Sequence, residues 1–192
     1  FIMLVAVGFD APLEAKANPG LSPNPTKAPW YFAGFQELLL HFHPLFALCI
    51  MPILMLIVLL AIPYLNYQRN ISGVWFVSVR GRLMAFVAAA IAVVVTPLAV
   101  VLDEFVLDLT AWMASLPGEI SNGLVPFALM LGAVVGFYIF IKKKFSATNT
   151  EALQSVFVLF LVAFIILTIT GIWFRGEGMA LVWPGSMGAI TP

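Results

Sequence analysis

Long charge-free apolar runs punctuated by short polar segments set the pattern of this chain. Four runs, Leu45 to Ile62, Leu83 to Leu102, Gly123 to Ile141 and Leu153 to Phe174, contain no Asp, Glu, Lys, Arg or His. Each is close to the ~20 residues that cross a hydrocarbon core as a helix, so the pattern predicts four complete transmembrane helices. Pro52, Pro97 and Pro126 fall inside these runs and predict kinks rather than breaks, since neighbouring helices satisfy the freed carbonyls. The chain opens at Phe1 within another apolar stretch, FIMLVAVGF, which reads as the outgoing end of a preceding, truncated helix. The expected architecture is therefore an all-α integral membrane fold in a single domain. Residues 1–9 would be the helix end, 10–44 a loop with an amphipathic helix, 45–174 the four spans and 175–192 a tail.

Two polar segments carry a helical period of their own. Tyr31, Phe35, Leu38 and Phe42 recur at i, i+4, i+7 and i+11, opposite Ala33, Gln36, Glu37 and Leu40, an apolar stripe with a mixed back. Phe105, Leu109, Trp112 and Leu116 repeat the spacing after Asp103 and Glu104, whose charges favour a helix amino terminus. Both predict interfacial helices on one face of the membrane.

Composition changes the picture in one respect. With 62% hydrophobic residues and 9% charged, the chain lacks the polar surface to cover a soluble globule. The formal charge of zero conceals an asymmetry. If the Ala17 to Pro44 loop lies on one side, alternation puts Arg69, Arg80, Arg82 and Lys142 to Lys144 together on the other, against Glu151 alone, a net +5. The loop side keeps Lys16, Lys27 and Arg175 with eight acidic residues, a net −5. The excess of Lys and Arg makes the former side cytoplasmic and the loop side external. The single cysteine, Cys49, sits in an apolar run and reads as a small packing residue.

Chemistry concentrates in ANPGLSPNPTKAPWYFAGFQELLLHFHP, residues 17–44. Asn18-Pro19 is followed after ten residues by Trp30-Tyr31, with Lys27 just upstream. In its spacing this segment resembles the quinol-oxidation loop of the cytochrome b family, which carries a Pro-Glu-Trp-Tyr signature. The four positions here read Ala28-Pro29-Trp30-Tyr31, so the acidic residue is missing. The tail TGIWFRGEGMALVWP resembles, less specifically, endings of bacterial cytochrome b carboxy-terminal subunits. As physics, Trp173 and Trp183 read as interface anchors and Arg175 as a snorkelling cation.

The resemblance implies a subunit-IV-like component of a bacterial quinol:cytochrome c-type oxidoreductase, in the cytoplasmic membrane. It implies quinol (menaquinol or ubiquinol) bound at a subunit interface, haem b in a dihaem amino-terminal cytochrome b partner, and further partners in a Rieske iron–sulfur protein and a c-type cytochrome. Nucleic acid has no place in this reading. A quinone site needs an apolar slot and one or two polar groups. Pro29, Trp30, Phe32 and Phe35 are the slot candidates and Tyr31 the hydroxyl. Glu37, the nearest carboxylate in sequence after the substituted signature, is the candidate proton acceptor, provided an apolar pocket raises its pKa; otherwise it is a solvated carboxylate.

His41 and His43 are the only histidines. On a helix an i, i+2 pair points about 200° apart, so no shared metal is expected from a helical backbone. An extended backbone could bring both to one side, so metal or haem ligation stays open beside interfacial, proton-relay and helix-end roles before Pro44. The spans carry no histidine for bundle haem. A rival class is a non-catalytic anchor or quinone-binding scaffold of another electron-transfer complex. A transporter is disfavoured by the lack of ionisable residues in the spans.

The topology has a direct check. In a Cys49→Ser background, a cysteine at Asn24 should react with an impermeant thiol reagent on intact cells, and one at Lys143 only after permeabilisation. Equal reactivity at both would remove the outward-facing site.

Overall fold

A computed structural model of the chain describes residues 27–61, 64, 76, 78 and 80–183. The helix end expected at 1–9, the Asn18-Pro19 part of the loop and most of the tail beyond 183 lie outside these residues. The described elements are α1 (Ala33–His41), α2 (Met51–Ala61), α3 (Gly81–Phe105), the single turn α4 (Leu109–Trp112), α5 (Val125–Phe145) and α6 (Asn149–Trp173), with a short 3₁₀ turn at Glu177–Met179. The described fold is all-helical.

Among the described residues three helices are long and apolar enough to cross a membrane: Gly81–Phe105, Ile120–Phe145 and Asn149–Trp173. At 25 residues, α3 and α6 are each ~37 Å long, more than the ~30 Å hydrocarbon core. The first predicted span appears as a shorter apolar helix, Phe46–Ala61. Helix α6 is the hub, against which α1, α3 and α5 all pack. At one end of the bundle Met84 and Ala88 of α3 cluster with Phe137 and Ile141 of α5, Ala147 of the α5–α6 turn and Ala152 in the first turn of α6.

Two of the three in-span prolines come just after a π-turn. Pro52 and Pro126 each lie in a first helical turn preceded by a π-turn, Phe46–Ile50 and Ile120–Leu124. A proline ring collides with the carbonyl four residues back. Here the residue before each proline bonds five residues back instead, Met51 N–H to the Phe46 carbonyl and Val125 N–H to the Ile120 carbonyl. The Asn122 carbonyl, four before Pro126, is thereby released and accepts the His43 N–H at 2.8 Å. Phe46 then stacks on Phe127 with centroids 5.5 Å apart, joining the starts of two spans. Pro97 lies inside α3.

The two ends of the bundle separate as the charges do. The α5–α6 turn holds Lys142, whose ammonium donates to Asn149 at 2.6 Å, and a capping box formed by Thr148 and Glu151. Glu151 also accepts from Ser78 N–H at 2.8 Å, and Gln154 from Phe76 N–H at 3.0 Å. At the opposite end α1, the last turn of α3 and Arg175 come together through ion pairs.

Helix α1 packs on the bundle by part of its mixed back. Its buried residues are Ala33 and Glu37, from that back, together with Gly34, whereas Tyr31 and Phe35 of the aromatic stripe are exposed. The reason is steric: Gly34 and Gly171 let α1 and α6 touch. A Cβ on Gly34 would lie 2.6 Å from the Thr168 hydroxyl, and one on Gly171 2.9 Å from the Ala33 carbonyl. The second surface helix is corrected. Phe105 still belongs to α3, and only the turn Leu109–Trp112 follows, with Asp108 accepting from Ala111 N–H at 2.9 Å. Asp103 and Glu104 thus end a helix instead of starting one. Cys49, expected to pack, is exposed on the first π-turn.

Gly171→Leu should cost about 1–3 kcal/mol by overpacking the α1–α6 contact, measured by thermal or denaturant unfolding in detergent. Gly132→Ala, where a Cβ meets nothing within 4 Å, should leave stability unchanged or slightly raised. Equal losses in both would refute the close-contact account.

Candidate functional site

Helical spacing puts Glu37 and His41, four residues apart, on the face of α1 that packs into the protein. The last turn of α3 supplies Asp103 and Glu104, and the residue two past the end of α6 is Arg175. Carboxylates at a helix carboxy terminus oppose the helix dipole, so this end of α3 requires cations. Arg175 and His41 are those cations.

Arg175 is 1% exposed and Glu37 fully buried. The guanidinium forks onto Glu37, with Nε 3.1 Å from both carboxylate oxygens and Nη2 2.5 Å from Oε1. Its Nη1 donates to Glu104 Oε2 and to the Met179 carbonyl, both at 2.8 Å. The Met179 carbonyl is presented by a turn that folds back on Arg175, closed by Gly176 N–H to Ala180 O at 2.9 Å and Val182 N–H to Phe174 O at 2.8 Å. His41 lies between two carboxylates, with Nδ1 2.6 Å from Asp103 and Nε2 3.2 Å from Glu37. Among the described residues no buried side-chain nitrogen or oxygen lacks a partner, the condition under which buried charge is tolerated.

Burial works against every charge in this cluster, and the pairing overrides it. Desolvation alone would raise the Glu37 pKa, but hydrogen bonds from His41 and Arg175 and their positive charge hold it below the usual carboxylate value. Desolvation would likewise depress His41. The hydrogen bonds to Asp103 and Glu37, with their negative charge, instead lift it to about 9. Glu37 is therefore an ionised, immobilised carboxylate. It is neither the solvated residue nor the acid of raised pKa that the sequence offered as alternatives. Arg175, read from sequence as a snorkelling cation, is buried.

On the other side of α1 lies an apolar groove of about 500 Å³. Pro29, Phe32, Phe35 and Leu39 form one wall and Ala47, Leu48 and Pro52 the other, with Ala28 and Gln36 completing it. The Gln36 Oε1 accepts the Ala28 N–H at 2.6 Å, folding the loop back onto the helix. Three of the predicted slot residues, Pro29, Phe32 and Phe35, therefore share one surface. Trp30 and Tyr31 do not line it. They are 70% and 58% exposed, and their rings meet edge to face with centroids 5.7 Å apart. The aromatic series continues through Phe32 and Phe35 to Phe164 of α6, where the centroids are 5.0 Å apart. The polar group missed by sequence reasoning is Gln36, three and four residues from Leu39 and Phe32 on the same helical face.

A second, polar cavity of about 370 Å³ opens beside Asp103, Glu104, Asp108 and Asn122. Both ring nitrogens of His41 are engaged by carboxylates. His43 lies beyond the end of α1, where its Nδ1 accepts the Leu45 N–H at 3.3 Å. Among the described residues no group of three or more His, Cys, Asp or Glu side chains could hold a metal ion.

Arg175 and Glu37 are 138 residues apart, a separation no local spacing rule spans. The signal available was narrower: Glu37 and His41 one turn apart on the less hydrophobic face, and two carboxylates placed where α3 ends.

The raised pKa of His41 has a defined consequence. Its folded value of about 9 exceeds the unfolded 6.5, so its stabilisation is complete below pH 6.5 and disappears as the pH rises through 9. The loss should be of order 3 kcal/mol in unfolding profiles between pH 6 and 10, and His41→Ala should flatten it. A wild-type profile already flat in that window would refute the assigned pairing.

Comparison with protein-family models, curated proteins and solved structures finds no match for this chain.

Proposed function

We propose that the chain is a membrane subunit of a quinol:cytochrome c-type oxidoreductase, with the groove between α1 and α2 forming part of an outward-facing quinol-oxidation pocket. The observation that carries this reading is the groove. It begins in the loop bearing the Pro-Trp-Tyr motif, its walls are Pro29, Phe32, Phe35, Leu39, Ala47, Leu48 and Pro52, and its lining includes one amide, Gln36. An apolar slot with few polar groups suits a quinone ring and its prenyl chain. Phe32 and Phe35 would stack against the ring, and Gln36 would orient an oxygen. The quinol supplies two electrons and two protons; this chain supplies binding and orientation.

Electron transfer requires redox centres, which this reading assigns to a dihaem cytochrome b amino-terminal partner, a Rieske iron–sulfur protein and a c-type cytochrome. Helix α2 has no buried residue, as suits the first of four spans lying against lipid or a partner. In this reading the end that carries the Lys and Arg excess around Lys142–Lys144 faces the cytoplasm, as the positive-inside rule favours. The groove then faces outward, and the exposed aromatics Trp30, Tyr31, Trp112 and Trp173 lie in the interfacial zone.

A second reading, a quinone-binding anchor that performs no oxidation, is favoured by one observation. Among the described residues no carboxylate lines the groove, since Pro29 occupies the signature's acidic position and Glu37 is committed to Arg175. In the oxidoreductase reading the quinol proton must therefore leave to water or to a partner's side chain.

Phe35→Ala and Gln36→Leu should each lower quinol-dependent electron transfer in the assembled complex, whereas Tyr31→Ala should change it less than twofold. Unchanged turnover in Phe35→Ala and Gln36→Leu, with assembly and haem content intact, would reject the catalytic reading. Retained quinone binding in the wild-type complex would then leave the anchor.

A further inference from the structure

Helix α1 is nine residues long, too short to persist without tertiary support. Its amino-terminal half rests on α6 where Ala33 and Gly34 meet Gly171 and Thr168. Its second half is held by side-chain charge: Glu37 by Arg175, and His41 by Asp103. Arg175 alone bonds three separate segments, Glu37 on α1, Glu104 at the end of α3 and the Met179 carbonyl in the turn after α6. Gln36 and Leu39, which line the groove, lie one residue before and two residues after Glu37.

We infer that Arg175 is a positioning residue for the groove: by clamping Glu37 from behind, it fixes where the α1 wall stands relative to Ala47, Leu48 and Pro52 without touching anything bound there. The inference rests on the groove being a quinone site, as proposed above. A guanidinium is required because Nε and Nη2 engage one carboxylate while Nη1 reaches Glu104 and a carbonyl. An ammonium at the same place offers one point of charge and no fork. Removing the guanidinium leaves Glu37 buried with His41 as its sole cationic neighbour and Glu104 without its cation, so α1 moves to hydrate the carboxylate.

The test titrates the full chain in lipid nanodiscs with a decyl-substituted benzoquinone, reading dissociation constant and number of sites separately. Arg175→Met should bind roughly tenfold more weakly at an unchanged number of sites, and Arg175→Lys should recover part of the loss. Fewer sites at wild-type affinity would mean that Arg175 serves folding alone and would overturn the inference. In parallel, spin labels at Leu40→Cys on α1 and Leu161→Cys on α6, in a Cys49→Ser background, report the position of α1. Their distance distribution should shift or broaden in Arg175→Met and narrow again in Arg175→Lys; no change in Arg175→Met would also overturn it. If Arg175→Met does not fold, Arg175→Lys and Glu37→Gln carry both measurements, with weaker binding and a displaced label expected in each and wild-type values in both overturning the inference. A wild-type chain that binds no quinone would remove the quinol reading, while the label distances still decide whether Arg175 positions α1.

Discussion

The pairing of Arg175 with Glu37 is the constraint on which the α1 end of this protein depends. A buried guanidinium and a buried carboxylate are each costly to desolvate, and the pair persists because every donor and acceptor in it has a partner. The bond joins residues 138 positions apart, tying a nine-residue surface helix to the end of the central span. Through Glu104 the same guanidinium neutralises the end of α3, where the helix dipole disfavours carboxylates. His41 adds a second cation between Glu37 and Asp103. Removing either Arg175 or Glu37 strands a buried charge, so the two residues act as one structural unit.

Much of the membrane architecture was legible because hydropathy is a sum over many residues. Three of the four expected spans appear at full length, and the division of charge between two ends matches the described contacts. Which face of α1 packs on the bundle was not legible, for a local reason. Periodicity marks an apolar stripe, but around a membrane aromatic side chains have an apolar destination in lipid and at its interface as well as in the protein. What decided the packed face was size: Ala33 and Gly34 allow α1 to approach α6, as small residues do between helices in lipid. Glu37 and His41 then follow to that side and need partners that sequence spacing does not reveal. The prolines show the same limit. Their presence signals altered hydrogen bonding, yet whether it becomes a kink or a π-turn depends on which acceptor, here the Asn122 carbonyl, finds a donor across the fold.

The candidate site was half legible. The loop motif drew attention to Pro29, Phe32 and Phe35, which do share a groove, while Trp30 and Tyr31 point elsewhere and Gln36 went unnoticed. Helix α1 thus has two working faces. One carries charge and is locked into the bundle, and the other is apolar and open toward α2. In the proposed function the locked face gives the open face a fixed geometry, which a binding surface on so short a helix otherwise lacks. The substituted signature fits this division, because the only carboxylate near the groove in sequence is committed to holding the helix.

The most direct test of this account is photoaffinity mapping with an azido-benzoquinone in native membranes, followed by identification of the labelled peptides. The account predicts labelling concentrated in residues 28–39 and 47–52, suppressed by excess unlabelled quinone. Labelling spread along the lipid-facing helices, or unaffected by competitor, would contradict a quinone site in this groove.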